Sequence, residues 1–130
     1  MSNYIYTLQE PYRFYFDNYY YYDGQFFRAD WLLIDDLTIN IPAGYSWNGC
    51  SPKFKIAGKV FSLPNFGQKT YHASLVHDAL YQYSAGHGLP RETCDRIFLA
   101  LMQDQGFKYA KFYYRMVRLF GGLFWKEIHV

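Results

Sequence analysis

The sequence predicts an α+β domain in which an antiparallel β-meander precedes a helical half. Three observations carry this expectation. Aromatic and β-branched residues crowd the first forty positions in short runs parted by turn residues. A stretch with Gly and Pro and little periodicity follows, and beyond residue 70 apolar side chains recur at helical spacing. The 130 residues are expected to form a single domain, with a β-rich part at 1–42, a functional loop at 43–69 and a helical part at 70–130.

Each element has its own signal. Tyr12 to Phe16 and Tyr19 to Tyr22 are β-prone, and Asp17-Asn18 between them marks a turn. Asp23-Gly24 suggests a second tight turn into Gln25 to Arg28. Leu32-Leu33-Ile34 and Leu37 to Ile41 complete the meander, which ends at Pro42. Ala43 to Lys69 reads as a long loop, and loops of that length inside a compact domain are usually functional. Thr70 to Tyr83 predicts a helix with Ala73, Val76, His77, Leu80 and Tyr81 on one stripe. Pro90 stands where the next helix starts, and Arg91 to Gln105 follows with Cys94, Ile97, Phe98, Leu101 and Met102 facing inward. Gly106 ends it, and a third helix runs from Phe107 to Phe120.

Composition narrows the class. Apolar residues at 51% against charged residues at 18% supply a core, which excludes a disordered tail. Two cysteines cannot build a disulfide scaffold. No apolar run approaches the ~20 residues that span a bilayer, and Met-Ser-Asn-Tyr-Ile-Tyr lacks the basic-then-apolar order of a signal peptide. A compact domain made in a cytosol is the expectation. The net charge of +2 is too small to point to nucleic acid, which is not an expected partner.

The residues best suited to chemistry are His77, Asp78, Tyr81 and Asp95. His77 and Tyr81 are four apart and share a helix face, whereas Asp78 is rotated by about 100° to another surface. Asp95 lies on the next helix, across a short turn. There its carboxylate can fix the tautomer of His77 and support the imidazolium formed when His77 takes a proton from water. Several backbone carbonyls of the 44–50 loop together with Asp78 would make the oxygen-only site that Ca²⁺ prefers. Plainer roles exist for each: a core histidine, an aspartate favoured near a helix N-terminus, a tight turn at Asn48-Gly49. His72 and His77 are five apart, a poor spacing for a zinc pair. Cys50 and Cys94 should lie near each other; buried free thiols are expected, with a disulfide outside the cell as the other outcome.

The order P-A-G-Y…N-G-C-S-P, H-D-A-L-Y and D-R-I-F over residues 41–125 resembles a phage and prophage family of unknown function. Many of its members carry Asp at the position of Asn48. The same elements resemble a phospholipase A2 core, most nearly that of parvovirus capsid proteins. That resemblance implies a base at His77, an orienting carboxylate at Asp95 and a supporting hydroxyl at Tyr81. It also implies Ca²⁺ held by Asp78 with Tyr45 and Gly49 as loop ligands. This chain departs from it in lacking the G-x-G pair of the loop and in carrying the bulky Trp47 and Pro52 there.

The last helix adds a second signal. Lys108, Lys111, Arg115 and Arg118 are spaced by three and four residues and form one basic face, beside the apolar Leu119, Leu123, Phe124 and Trp125. Such a face suits an anionic phospholipid surface, and it would also suit a nucleic-acid backbone or an acidic protein partner, or it is simply solvated. Two readings follow. One is a small Ca²⁺-dependent lipid ester hydrolase acting at a membrane. The other is a non-catalytic virion, tail or accessory protein that meets other phage structural proteins and uses the His-Asp-Tyr-Asp group as a buried network. Host cytoplasm or virion is the expected location under both.

Overall fold

The computed structural model describes residues 6–15, 26–35, 38–47, 53–56, 59–62, 67–123 and 125. Eight strands precede three helices among them: β1 (Tyr6–Thr7), β2 (Tyr12–Tyr15), β3 (Phe26–Ala29), β4 (Leu32–Asp35), β5 (Thr38–Ile41), β6 (Ser46–Trp47), β7 (Lys53–Ile56), β8 (Lys59–Ser62), α1 (Tyr71–Gln82), α2 (Arg91–Asp104) and α3 (Ala110–Phe120). The α+β class and the three helices agree with the sequence reading. Candidates that fall on Tyr19–Tyr22, Asp17-Asn18, Asp23-Gly24, Asn48, Gly49, Cys50 and Phe124 lie outside the described residues.

Two expectations need correction. The strands β3, β4 and β5 do form an antiparallel meander, but β2 joins it beside β5, giving the order β2-β5-β4-β3. Phe14 on β2 is buried beside Ile39 and Ile34 in one cross-strand row. Burying that row is what sets the pairing, and neighbourhood in sequence does not reveal it. The segment 43–69 is also less irregular than its Gly and Pro content suggested. It contains β6, paired with β1, and the antiparallel pair β7–β8.

Trp47 shows why the start of that segment is structural. It is fully buried, and its indole Nε1 donates to Ser74 Oγ on α1 at 2.9 Å. Its ring lies 5.0 Å from Tyr71 and 5.3 Å from Tyr6. What looked like bulk in a ligand loop is an anchor that docks β6 on α1.

The helices end where the chain chemistry dictates. Pro90 is extended and precedes α2, where its missing N–H costs nothing. Gly106 follows α2 at φ +70°, a left-handed conformation that lets the Phe107 N–H reach back to the Met102 carbonyl. The predicted inward residues Cys94, Ile97, Phe98, Leu101 and Met102 are all buried and join the sheet residues in one core. Cys94 is a free thiol, and burial, reinforced by the charge of Asp95, pushes its pKa up. No described helix is long and apolar enough to cross a membrane.

Candidate active site

His77 occupies the middle of α1, and Tyr81 follows one turn later on the same face, with ring centroids 4.2 Å apart. Phe98 of α2 also packs against the imidazole, with ring centroids 4.5 Å apart. Between the helices lies Asp95, which is fully buried. Its Oδ1 meets His77 Nε2 at 2.8 Å and accepts the Tyr81 hydroxyl at 2.6 Å. Its Oδ2 accepts from an Arg118 guanidinium nitrogen at 2.8 Å and faces Arg91 at 3.7 Å. Residues separated by up to 41 positions thus converge on one carboxylate.

Burial alone would raise the pKa of Asp95. The hydrogen bond and charge of His77, then the bonds from Tyr81 and Arg118, outweigh it and hold the carboxyl below its ordinary value. An ionised carboxylate only accepts hydrogen bonds, so the proton at the contact sits on His77 Nε2. In the neutral ring Nδ1 carries the lone pair. It makes no hydrogen bond to a described residue, and the imidazole retains 14% of its surface. Tyr81 is held as a donor, since burial and the neighbouring Asp95 both push its hydroxyl pKa up.

Asp78 has a different environment. It is partly buried and makes no hydrogen bond or ion pair with a described residue, and burial raises its pKa from 3.8 to about 6 against the attraction of His77. A divalent cation would relieve that buried charge, so Asp78 fits the role of a cation ligand. Among the described residues no trio of His, Cys, Asp or Glu surrounds a common point. Further oxygens would therefore come from backbone. The Tyr45 carbonyl already accepts the Leu8 N–H at 2.7 Å, and its hydroxyl donates to Gln82 at 3.0 Å. Gly49 lies outside the described residues.

The basic face of the last helix is smaller than its spacing suggested. Lys111 and Arg115 are exposed on α3 and Lys108 on the turn before it, but Arg118 turns inward to Asp95. At 100° per residue Arg118 lies nearer the buried edge formed by Ala110, Tyr113 and Val117 than either of the other two helical cations. Its long side chain then reaches the buried carboxylate. Arg91 also escaped the sequence reading. Its guanidinium donates to the Val117 and Arg118 carbonyls at 3.2 and 3.0 Å, satisfying the C-terminus of α3. The spacing of Arg91 four residues before Asp95 was a usable signal; nothing local pointed to Arg118.

A family model described as Protein of unknown function (DUF1353) matches residues 28–117. The chain belongs to the DUF1353 family. The DUF1353 match runs from β3 into the last turn of α3 and includes His77, Asp78, Tyr81, Arg91 and Asp95, stopping one residue before Arg118. No curated protein and no solved structure matches the chain.

Proposed function

We propose that this DUF1353 protein is a phage-encoded hydrolase of lipid esters whose site works like that of phospholipase A2. The observation that carries the reading is the 2.8 Å contact between His77 Nε2 and Asp95 Oδ1, with Nδ1 uncommitted among the described residues. In this reading Nδ1 accepts a proton from a water attacking the ester carbonyl, and Asp95 stabilises the imidazolium. Tyr81 holds Asp95 in place. The proton then passes from Nδ1 to the leaving alkoxide as the acyl–oxygen bond breaks. Asp78 would hold Ca²⁺ with carbonyls of the 45–49 segment, and the bound ion would polarise the ester carbonyl.

A membrane surface suits the outer side of α3. Phe112 and Leu119 are exposed there at 51% and 73%, near the exposed Lys108, Lys111 and Arg115. Apolar side chains beside cations favour a surface of anionic lipid.

A second reading has its own support. Asp95 is fully buried and surrounded by donors from three helices, as expected of a network that only fixes structure in a virion, tail or accessory protein. Fluorescent phospholipid in mixed vesicles, with Ca²⁺ present, separates the two. Ester cleavage that His77→Gln abolishes while the melting temperature holds supports the hydrolase. No cleavage by the wild-type chain, or cleavage untouched by His77→Gln, leaves the structural network as the function of the group.

A further inference from the structure

The solvent side of the four-stranded sheet carries a second site that shares no residue with the His77 group. Alternation along the strands buries Phe14, Ile39, Ile34 and Leu32 on one face and turns Arg13, Arg28, Tyr15 and Phe26 outward. The register sets Arg13, Asn40, Leu33 and Arg28 in a single row across β2, β5, β4 and β3. These four line an open cavity of about 620 Å³, which the strand ends and Asp30 complete. That volume lies in the range of small-molecule sites, roughly 300–1,000 Å³.

The row has a definite arrangement. Arg13 and Arg28 are three inter-strand spacings apart, about 14 Å between their Cα atoms. Arg13 Nε donates to Asn40 Oδ1 at 2.7 Å. The Asn40 amide in turn donates to the Leu33 carbonyl at 3.3 Å and Thr38 Oγ1 at 3.2 Å. One guanidinium is therefore oriented by its neighbours, with a terminal nitrogen contacting Tyr15 at 3.4 Å. The other, on Arg28, makes no hydrogen bond or ion pair with a described residue. Leu33 lies between them, and Asp30 places one negative charge at the turn.

We propose that this face binds a small molecule with an anionic group, phosphate or carboxylate, at each end of an apolar spacer. Each acidic end pairs with one arginine and the spacer lies over Leu33. A fork of guanidinium donors matches the oxygens of such groups. Asp30 disfavours a third acidic group at the β3–β4 turn. The fixed separation of the arginines makes the site selective for length, because a spacer too short to span the row engages one end only.

Isothermal titration of the full chain with α,ω-alkane bisphosphonates of graded length tests this. Affinity is expected to pass through a maximum with spacer length. At that maximum the bisphosphonate should bind about tenfold tighter than the alkyl monophosphonate of the same length. Arg28→Gln, which breaks no described contact, should reduce the bisphosphonate to monophosphonate affinity. Arg13→Gln should do the same, while Lys111→Gln and His77→Gln leave the affinity unchanged. Equal affinity for one and two phosphonates at every length would overturn the proposal, as would indifference to Arg28→Gln. Binding of a single-stranded oligonucleotide through both arginines, without bisphosphonate binding, would replace it with a nucleic-acid surface.

Discussion

On the side of α1 that faces the other two helices, Asp95 collects His77, Tyr81, Arg91 and Arg118. On the neighbouring side, Asp78 meets no hydrogen-bonding partner among the described residues. Burial acts on both carboxyls in the same direction, yet Asp95 ends below its ordinary pKa and Asp78 is pushed up to about 6. The contrast separates two kinds of acidic residue. A carboxylate whose lone pairs are filled by three helices holds the structure together. A partly buried carboxylate with no hydrogen-bonding partner among the described residues is instead raised in pKa, and positive charge brought to it would stabilise its ionised form.

Removing the filled carboxylate should have the largest effect. Asp95→Ala leaves the Arg118 guanidinium and the Tyr81 hydroxyl facing a void, at a cost of about 3–5 kcal/mol. Urea unfolding measures it, and a loss below about 1 kcal/mol would show that the helices do not depend on this junction. Arg118→Met should cost less, about 1–3 kcal/mol, because His77 and Tyr81 still satisfy Oδ1.

The raised Asp78 carboxyl predicts the opposite sign. The folded state holds a proton on Asp78 up to about pH 6, whereas the unfolded chain releases it near 3.8. Stability therefore falls as pH rises through that window and stays lower above it. Asp78→Asn should flatten this part of the profile. Above pH 6 it should make the protein more stable by about 1–2 kcal/mol, allowing for residual solvent screening. Ca²⁺ sharpens the test. It should raise the melting temperature of the wild type and leave that of Asp78→Asn unchanged, and an equal rise in both would remove Asp78 as the ligand.

The smallest effect comes from a histidine outside the site. His87 is buried, donates through Nε2 to the Leu80 carbonyl at 2.7 Å and accepts the Leu89 N–H at Nδ1 at 3.0 Å. Acceptance at Nδ1 requires the neutral ring, and burial lowers its pKa although the Leu80 bond favours the charged form. The unfolded chain then binds the proton first, so this contribution is intact above about pH 6.5 and is lost as pH falls. In the Asp78→Asn background, where the opposing trend is gone, a shallow loss of melting temperature below pH 6.5 should remain. Its absence would mean that folding does not favour the neutral His87 ring.

Much of the helical site was legible because helical spacing is local. Four residues between His77 and Tyr81 put them on one face, and Pro90 and Gly106 bounded the helix that carries Asp95. The arginines were harder to read. A basic residue on an amphipathic helix looks solvated until a buried charge across the interface is known, and Arg118 meets such a charge. The strands β7 and β8 are hard to read because the Gly and Pro content of the segment masks the alternation in Lys53–Ile56, and Lys59–Ser62 does not alternate. Trp47 reads as loop bulk until its partners on α1 and β1 are known.

The succession of a strand-rich half and a helical half, the inward face of α2 and the shared helix face of His77 and Tyr81 were determined by the sequence alone, because backbone periodicity and capping act over a few residues. The insertion of β2 beside β5, the capture of Arg118 and the row of Arg13 and Arg28 were decided only in the tertiary structure. Each depends on groups far apart in the chain, brought together by burying a shared apolar face, and no local pattern records which distant partner that face will meet.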